Sequence, residues 1–176
     1  MIIKARKLLN QETLITLYYS FIYPYLQYCN HVWGNACASY LKKLNVLQKR
    51  IVRIIGGVKP REHSLPIFRK LNILSIFDIN IFVIGCFMYQ VHHKKTLKVF
   101  SDMFCENSKI HNYSTRQANH FHLPQPKKEI RKSTISYRGA VIWNTICTLG
   151  IKTEAKMNAF KENFKKFIMD KICHFN

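Results

Sequence analysis

Carboxylates that could drive metal-dependent chemistry are few and scattered in this sequence. The chain has 176 residues, of which nine are acidic, and its only aspartates are Asp78, Asp102 and Asp170. Phosphoryl transfer needs carboxylates that hold two metal ions about 4 Å apart, whereas each aspartate here stands alone among apolar or basic neighbours. Asp78 fits a helix cap, three residues after Ser75, and Asp170 fits a helix end. We therefore predict no catalytic residues, and no self-contained polymerase or nuclease.

Cysteine and histidine residues form two loose groups that invite a zinc interpretation. The groups are Cys29 and His31 with Cys37, and Cys105 with His111, His120 and His122. Neither has the Cys-x-x-Cys or His-x3-His spacing typical of zinc ligands, so we expect no metal. Cys29 and Cys37 lie beside an aromatic stripe, where a buried free thiol is ordinary. A phosphate-binding glycine loop is also absent from the sequence, and we expect no cofactor.

The strongest signal is positive charge. Lys and Arg number 28, which leaves a formal net charge of +19, and such an excess favours polyanionic partners, nucleic acid before anionic membrane. A merely solvated basic surface is the alternative. The first basic cluster consists of Lys42, Lys43, Lys49, Arg50 and Arg53. The second basic cluster consists of Lys127, Lys128, Arg131 and Lys132.

Both clusters predict sequence-independent contact with phosphates. The hydroxyls of Ser133, Thr134 and Ser136 could donate to phosphates beside the second cluster. Arg116 is a further candidate, although it could equally brace its own loop. Arg50 and Arg53 also suit the carbonyl end of their helix, which attracts cations. We expect nucleic acid as the partner (RNA, DNA or hybrid), and neither a membrane nor a small-molecule substrate.

Segments for export or membrane insertion are not evident. The first ten residues mix cations with short apolar steps, which differs from a secretory signal. The most apolar stretch, residues 76–88, is shorter than the roughly 20 residues that span a bilayer. We predict a nuclear or cytoplasmic protein that is not secreted, with its six cysteines as free thiols.

Hydrophobic periodicity predicts a mainly α-helical fold. Residues 11–33 have one apolar face, which we expect to be core rather than a surface for stacking on bases, with a kink at Pro24. The members of this aromatic stripe are Leu14, Tyr18, Phe21, Tyr25, Tyr28 and Val32. Residues 39–55 form the clearest amphipathic helix, ended by Gly56 and Gly57. Its predicted apolar stripe is Leu41, Leu44, Leu47, Ile51, Ile54 and Ile55.

The remaining helices surround an irregular insertion. A short helix is expected over residues 64–71 with Pro66 in its first turn, and a helix that is apolar almost all round over residues 75–92. Over residues 105–136 the hydrophobic periodicity fades and polar residues and prolines accumulate, which predicts an irregular insertion. Phe121–Leu123 and Thr134–Ile135 are its only candidates for short paired strands. Helices follow over residues 137–148 and 153–173. In the last one Phe160, Phe164, Phe167 and Ile168 should face inward, while Lys161, Lys165 and Lys166 face water.

A series of short motifs runs through the chain in a fixed order. It consists of Leu17-Tyr18-Tyr19-Ser20-Phe21-Ile22-Tyr23-Pro24-Tyr25-Leu26-Gln27-Tyr28, Val32-Trp33-Gly34, Leu47-Gln48-Lys49-Arg50-Ile51-Val52-Arg53-Ile54-Ile55, Leu71-Asn72-Ile73-Leu74, Tyr113-Ser114-Thr115-Arg116, Tyr137-Arg138-Gly139 and Ile142-Trp143-Asn144. The series, from about Lys7 to Ile168, resembles the C-terminal part of reverse transcriptases from non-LTR (LINE-type, jockey-like) retrotransposons.

The resemblance implies a place in a larger enzyme. In that family this stretch follows the polymerase palm, where the thumb and later helices grip template and primer. Residues 1–104 would be a thumb-like helical region, residues 105–136 an irregular loop and residues 137–176 the C-terminal helices of one structural unit. The palm, which binds Mg²⁺ through its Tyr-x-Asp-Asp motif, and the fingers would lie upstream. The chain is thus expected to be an accessory nucleic-acid-binding fragment, no enzyme on its own, with the palm and fingers as partners. The alternative is an inert truncated relic or a protein-interaction module.

Overall fold

The computed structural model describes residues 2–110, 116–151 and 156–171. These residues form eleven α-helices and one 3-10 turn, and their only β-pairing is an isolated bridge between Glu106 and Phe121. The prediction of a mainly α-helical fold is confirmed. The helices are α1 (Ile2–Ala5), α2 (Gln11–Phe21), α3 (Tyr23–Gln27), α4 (Asn30–Trp33), α5 (Ala38–Gly56), α6 (Leu65–Lys70), α7 (Ile76–His92), α8 (Lys98–Ser101), α9 (Glu129–Lys132), α10 (Ile135–Thr148) and α11 (Met157–Lys171).

Contacts divide the chain into two compact units, residues 1–80 (unit 1) and residues 81–176 (unit 2). Unit 1 contains α1 to α6 and the first turn of α7. Unit 2 contains the rest of α7 and the later helices. Each unit has its own buried apolar side chains.

The aromatic stripe of residues 11–33 is not continuous. Helix α2 ends at Phe21, and α3 begins with Pro24 in its first turn, where the missing N–H of proline costs nothing. The expected interruption at Pro24 is thus confirmed. A second break follows because Cys29 adopts a left-handed backbone conformation with φ of 49°. The two breaks rotate the later residues off the inner face. Only Leu14 and Tyr18 of the stripe are buried, and the core assignment was wrong for the exposed Phe21, Tyr25, Tyr28 and Val32.

Helix α5 begins and ends as predicted, but its buried face is rotated. Gly57 is left-handed, with φ of 72°, and caps the helix. The buried side chains are Leu41, Gln48, Val52 and Ile55. The predicted stripe was therefore wrong at Leu44 and Leu47, which are exposed, and at Ile51 and Ile54, which are half-buried.

The reason for the rotation is Gln48, a buried polar residue that joins three parts of unit 1. Its Nε2 donates to the Tyr18 hydroxyl oxygen (2.9 Å) and to the Leu74 carbonyl (2.9 Å), and its Oε1 accepts the Ile76 N–H (2.8 Å). Ile76 is the first residue of α7, so its N–H has no partner within the helix. One amide therefore fixes α5 against both α2 and the start of α7.

The predicted cap of α7 is confirmed. The Asp78 N–H donates to Ser75 Oγ (3.3 Å), and the Ser75 hydroxyl donates to the Asp78 carboxylate (2.5 Å). Burial raises the pKa of Asp78, while the hydrogen bonds from Ser75 oppose that rise. Further along α7 nearly every side is covered, as expected for a helix that is apolar all round. Its buried apolar residues are Ile76, Ile79, Phe82, Ile84, Met88, Tyr89 and Val91.

Unit 2 is built on an aromatic core. Trp143 of α10 and Phe160 of α11 are almost fully buried, and the Phe160 ring stacks on Tyr89 at 4.6 Å and on Phe164 at 5.5 Å. The predicted inward face of α11 is confirmed at Phe160, Phe164 and Ile168, whereas Phe167 is only half-buried. Lys165 was wrongly placed in water, because it is half-buried and burial lowers its pKa. The predicted ends of α11, residues 153–155 and 172–173, lie outside the described residues.

The described parts of the insertion, residues 105–110 and 116–134, are irregular as predicted, apart from α9 and the 3-10 turn Asn107–Lys109. Phe121 pairs with Glu106 across the isolated bridge. The Asn144 side chain binds the Phe121 backbone as a neighbouring β-strand would. Its Oδ1 accepts the Phe121 N–H (2.9 Å), and its Nδ2 donates to the Phe121 carbonyl (2.8 Å). The proposed strand at Thr134–Ile135 was wrong, since these residues cap and begin α10.

Candidate functional site

The first basic cluster occupies two rows on α5. Lys42, Lys49 and Arg53 follow at steps of seven and four residues, which places them on one face of the helix. Lys43 and Arg50, seven residues apart, lie on a second face, and the exposed Val46 lies between the rows. The longer row spans about 16 Å, which corresponds to roughly five nucleotide steps of 3.4 Å.

The five cations differ in accessibility. Lys42, Lys43 and Arg50 are exposed, whereas Lys49 and Arg53 are half-buried. Arg53 Nε donates to the Glu62 carbonyl at 2.7 Å, which ties the segment after α5 back to the helix. Arg53 therefore has a structural role, and the accessible charge of the cluster lies at Lys42, Lys43 and Arg50.

The sequence interpretation missed three cations next to this cluster. Helix α1 packs against α5, and Lys4, Arg6 and Lys7 in and after it are exposed. A β-carbon at Gly57 would lie 3.8 Å from Arg6 Nη2, so the Arg6 guanidinium lies at the carbonyl end of α5. Sequence spacing could not reveal this neighbourhood, because it depends on how α1 folds back. The basic composition of residues 4–7 was the available signal.

The second basic cluster surrounds the single turn of α9. Lys127, Lys128, Arg131 and Lys132 are all exposed. Lys132 Nζ forms an ion pair with Glu129 Oε1 at 2.6 Å, and this hydrogen bond and charge raise the pKa of Lys132. An exposed pair of this kind contributes little to stability. It does neutralise one cation of the cluster, which leaves three for an outside partner.

The hydroxyls beside the second cluster serve the backbone. Ser133 Oγ donates to the Ile130 carbonyl and Thr134 Oγ1 to the Arg131 carbonyl, both at 2.7 Å. Each hydroxyl has one proton, so the prediction that Ser133 and Thr134 donate to phosphates was wrong for this conformation. Ser136 Oγ lies 3.1 Å from Thr134 Oγ1. Arg116 is exposed, and the Tyr113–Thr115 part of its motif lies outside the described residues.

The thiols and imidazoles are not gathered into a metal site in the described part of the chain: it contains no group of three His, Cys, Asp or Glu residues close enough to hold an ion. His111 lies outside the described residues. Cys29 and Cys37 are exposed, so their assignment as buried thiols was wrong. The Ser39 hydroxyl donates to Cys37 Sγ (3.3 Å), and this bond lowers the pKa of Cys37.

Unit 1 also has an open apolar groove of about 310 Å³ between α1, α2 and α5. It exists because Leu47 and its neighbours are turned away from the buried face of α5. Arg50 is the one charged residue among those that line it. The apolar lining includes Ile2, Ile3, Phe21, Leu47, Ile51 and Ile54.

Two further aromatic side chains of unit 1 lie in solvent. Tyr25 is 81% exposed and Tyr28 is 77% exposed. Tyr18, Tyr19 and Tyr23 from the same motif pack together instead, with ring centroids 5.2 to 6.5 Å apart. Among residues 2–110, 116–151 and 156–171, no helix combines the length and apolar character needed to cross a membrane.

Comparison with known proteins finds a distant similarity over part of the chain. Over 77 residues the chain is 26% identical to a probable RNA-directed DNA polymerase from transposon X-element of Drosophila melanogaster. The matched stretch is 44% of this chain and 8% of that protein. No family model matches the chain, and no solved structure matches it. The chain therefore has a distant, partial similarity to a retrotransposon reverse transcriptase.

Proposed function

We propose that the chain is an accessory nucleic-acid-binding segment of a retrotransposon-type reverse transcriptase, corresponding to the thumb and the helices after it. It grips template–primer or target DNA through backbone phosphates, without regard to sequence. In the full-length element the palm would bind Mg²⁺ and form the new bonds. The similarity to a transposon-encoded RNA-directed DNA polymerase supports the process.

The observation that carries the proposal is the accessibility of the cations on α5. Lys42, Lys43 and Arg50 are exposed on a regular helix, in a chain with a net charge of +19. A rigid helix keeps its cations at fixed spacing, so phosphates can be bound with little loss of backbone entropy. Lys127, Lys128 and Arg131 offer a second contact surface of the same kind.

The test is the salt dependence of binding to a labelled 20-base-pair duplex, measured by fluorescence anisotropy. Each phosphate contact contributes about 0.9 to the slope of log K against log salt concentration. Replacing Lys42, Lys43 and Arg50 by Gln should therefore lower the slope by about 2.7 and weaken binding at every salt concentration.

A matched control separates local contact from overall charge. Replacing Lys95, Lys98 and Lys109, which are also exposed, by Gln lowers the net charge equally and should change the slope much less. Equal effects of the two triple variants would refute the assignment to α5. A wild-type chain that binds neither the duplex nor a single strand of the same length, even at low salt, would refute the proposed function itself.

The second candidate is a protein-interaction module, which the apolar groove favours. Exposed apolar surface of this kind often marks a site of association. If this is the retained role, Leu47→Glu should abolish self-association or partner binding in sedimentation experiments, and duplex binding should be absent from the start.

A further inference from the structure

Tyr25 and Tyr28 stand one helical turn apart at the surface of unit 1. The Tyr28 N–H donates to the Pro24 carbonyl at 2.8 Å, so the helical path of α3 extends to Tyr28. Residues three apart on a helix have β-carbons about 5–6 Å from each other on the same side. The two rings, 81% and 77% exposed, therefore form one aromatic patch, which we call the tyrosine platform.

The backbone under the platform is held by buried hydrogen bonds. Asn30 is fully buried, and its Nδ2 donates to the Leu26 carbonyl at 2.8 Å. Asn80 Nδ2 in turn donates to Asn30 Oδ1 at 3.0 Å. Buried amides are costly unless they are bonded, so the turn between α3 and α4 is closely determined by its partners.

Two neighbours restrict the same turn further. Trp33 Nε1 donates to the Tyr28 carbonyl at 2.7 Å. At Gly34 a β-carbon would overlap both Asn30 and the Asn80 amide, so only glycine lets the chain pass this close. The fold thus holds rigidly a segment whose two tyrosine rings have no place in the core.

We propose that the tyrosine platform stacks on unpaired bases of single-stranded RNA or DNA. This inference rests on the proposed function and specifies the kind of nucleic acid that one part of the surface takes. Every base has a π-face, so exposed aromatic rings on a strongly basic protein bind single strands with little sequence preference. In a duplex the bases already stack on one another, which leaves no faces for the tyrosines.

The charge of the chain selects this occupant over a second copy of the protein. A net charge of +19 makes two copies repel each other, whereas a polyanion is attracted. Tyrosine is also suited to stacking because its ring is rigid and loses little conformational freedom when covered.

Trp33 offers a direct reporter of the platform. The chain has two tryptophans, and the other, Trp143, is 1% exposed in unit 2. Binding of unlabelled oligo(dT) should quench the fluorescence of Trp33, which is hydrogen-bonded to the Tyr28 backbone. Replacing Tyr25 and Tyr28 by Leu, which keeps Trp33 and its hydrogen bond to the backbone carbonyl of residue 28, should abolish this response.

The decisive experiment compares a labelled 20-nucleotide oligo(dT) with the 20-base-pair duplex in anisotropy titrations. Replacing both tyrosines by Leu keeps apolar side chains and removes the rings. We expect a loss of roughly 10- to 100-fold in affinity for the single strand, with duplex affinity and its salt slope unchanged. The variant with Phe at both positions should bind the single strand like the wild type. Replacing Leu97 and Val99, exposed apolar residues of unit 2, by Ala is the control and should have no effect.

The outcomes separate the two proposals. Unchanged single-strand affinity of the Leu variant, while duplex binding persists, overturns the platform and leaves the proposed function intact. An equal loss of affinity for single strand and duplex also overturns the platform, because the loss of stacking on unpaired bases cannot weaken duplex binding. A wild type that binds neither probe overturns the proposed function. Association of the wild type that disappears in the Leu variant, without nucleic acid, would instead identify the patch as a protein contact.

Discussion

Replacing Gln48 by Met should destabilise unit 1 far more than its modest change in volume suggests. Gln48 is 2% exposed and makes three hydrogen bonds, to the Tyr18 hydroxyl, the Leu74 carbonyl and the Ile76 N–H. Methionine has a similar length but can neither donate nor accept effectively. The buried carbonyl of Leu74 and the N–H of Ile76 then lose their partner.

The magnitude follows from the two backbone groups left unpaired. A buried group without its hydrogen bond costs about 1–3 kcal/mol, so the free energy of unfolding should fall by about 3 kcal/mol. That is a large share of the roughly 5–15 kcal/mol typical of a whole domain. With a urea m-value of about 2 kcal/mol per molar, the midpoint should move by about 1.5 M.

The assay is urea unfolding followed by circular dichroism at 222 nm, with Gln90→Met as the matched control. Gln90 is exposed on α7, so the same chemical change there should leave the midpoint nearly unchanged. In addition, Tyr18→Phe should cost less in the Gln48→Met background than alone, because the two side chains share a hydrogen bond. If Gln48→Met and Gln90→Met have the same midpoint, the buried amide does not hold these helices together.

Three further perturbations test other parts of the structure. Gly85→Ala should lower the free energy of unfolding by about 1–3 kcal/mol in urea titrations, despite the better helix propensity of alanine, because the added methyl group overlaps the buried Phe164 ring. A stabilised variant would contradict this packing. Asn144→Ala should speed amide hydrogen exchange at Phe121, because the Asn144 side chain binds the N–H and the carbonyl of that residue. An unchanged exchange rate would show that these two hydrogen bonds do not protect the Phe121 amide. Burial raises the pKa of Asp78, so its contribution to stability is present at low pH and is lost as the pH rises from about 4 through the raised pKa. Asp78→Asn should flatten this part of the pH profile of unfolding, and an unaltered profile would show that another group titrates.

The locally encoded features of the fold were predictable. The cap at Gly57 and the Ser75–Asp78 cap of α7 depend on neighbouring residues only, and both were read from short patterns. The inward positions of α11 also follow from a helical repeat that no break interrupts. The division into residues 1–104, 105–136 and 137–176 stays a prediction.

The errors arose where a pattern crosses a break or where a polar residue enters the core. The stripe of residues 11–33 assumed one helix, but the break at Ile22 turned Tyr25 and Tyr28 outward, and the break at Cys29 did the same for Val32. In α5 the hydrophobic repeat pointed to Leu44 and Leu47. Instead, Gln48 is buried because its side-chain amide accepts the N–H of Ile76 at the start of α7, and this turns Leu44 and Leu47 toward solvent.

The sequence by itself determined that this protein is helical, strongly basic and poor in carboxylates, since composition and local periodicity carry that information. It also carried the family resemblance, and a distant partial match to a transposon-encoded polymerase supports that in part. Only the tertiary structure decided which cations remain available and which aromatic rings stay in solvent. Arg53 binds a carbonyl nine residues away, which sequence spacing does not predict. The pairing of Lys132 with Glu129, three residues earlier, follows from local helical spacing once the single turn of α9 is known. Exposure is a property of how helices pack, and that depends on long-range contacts such as those of Gln48 and Asn30.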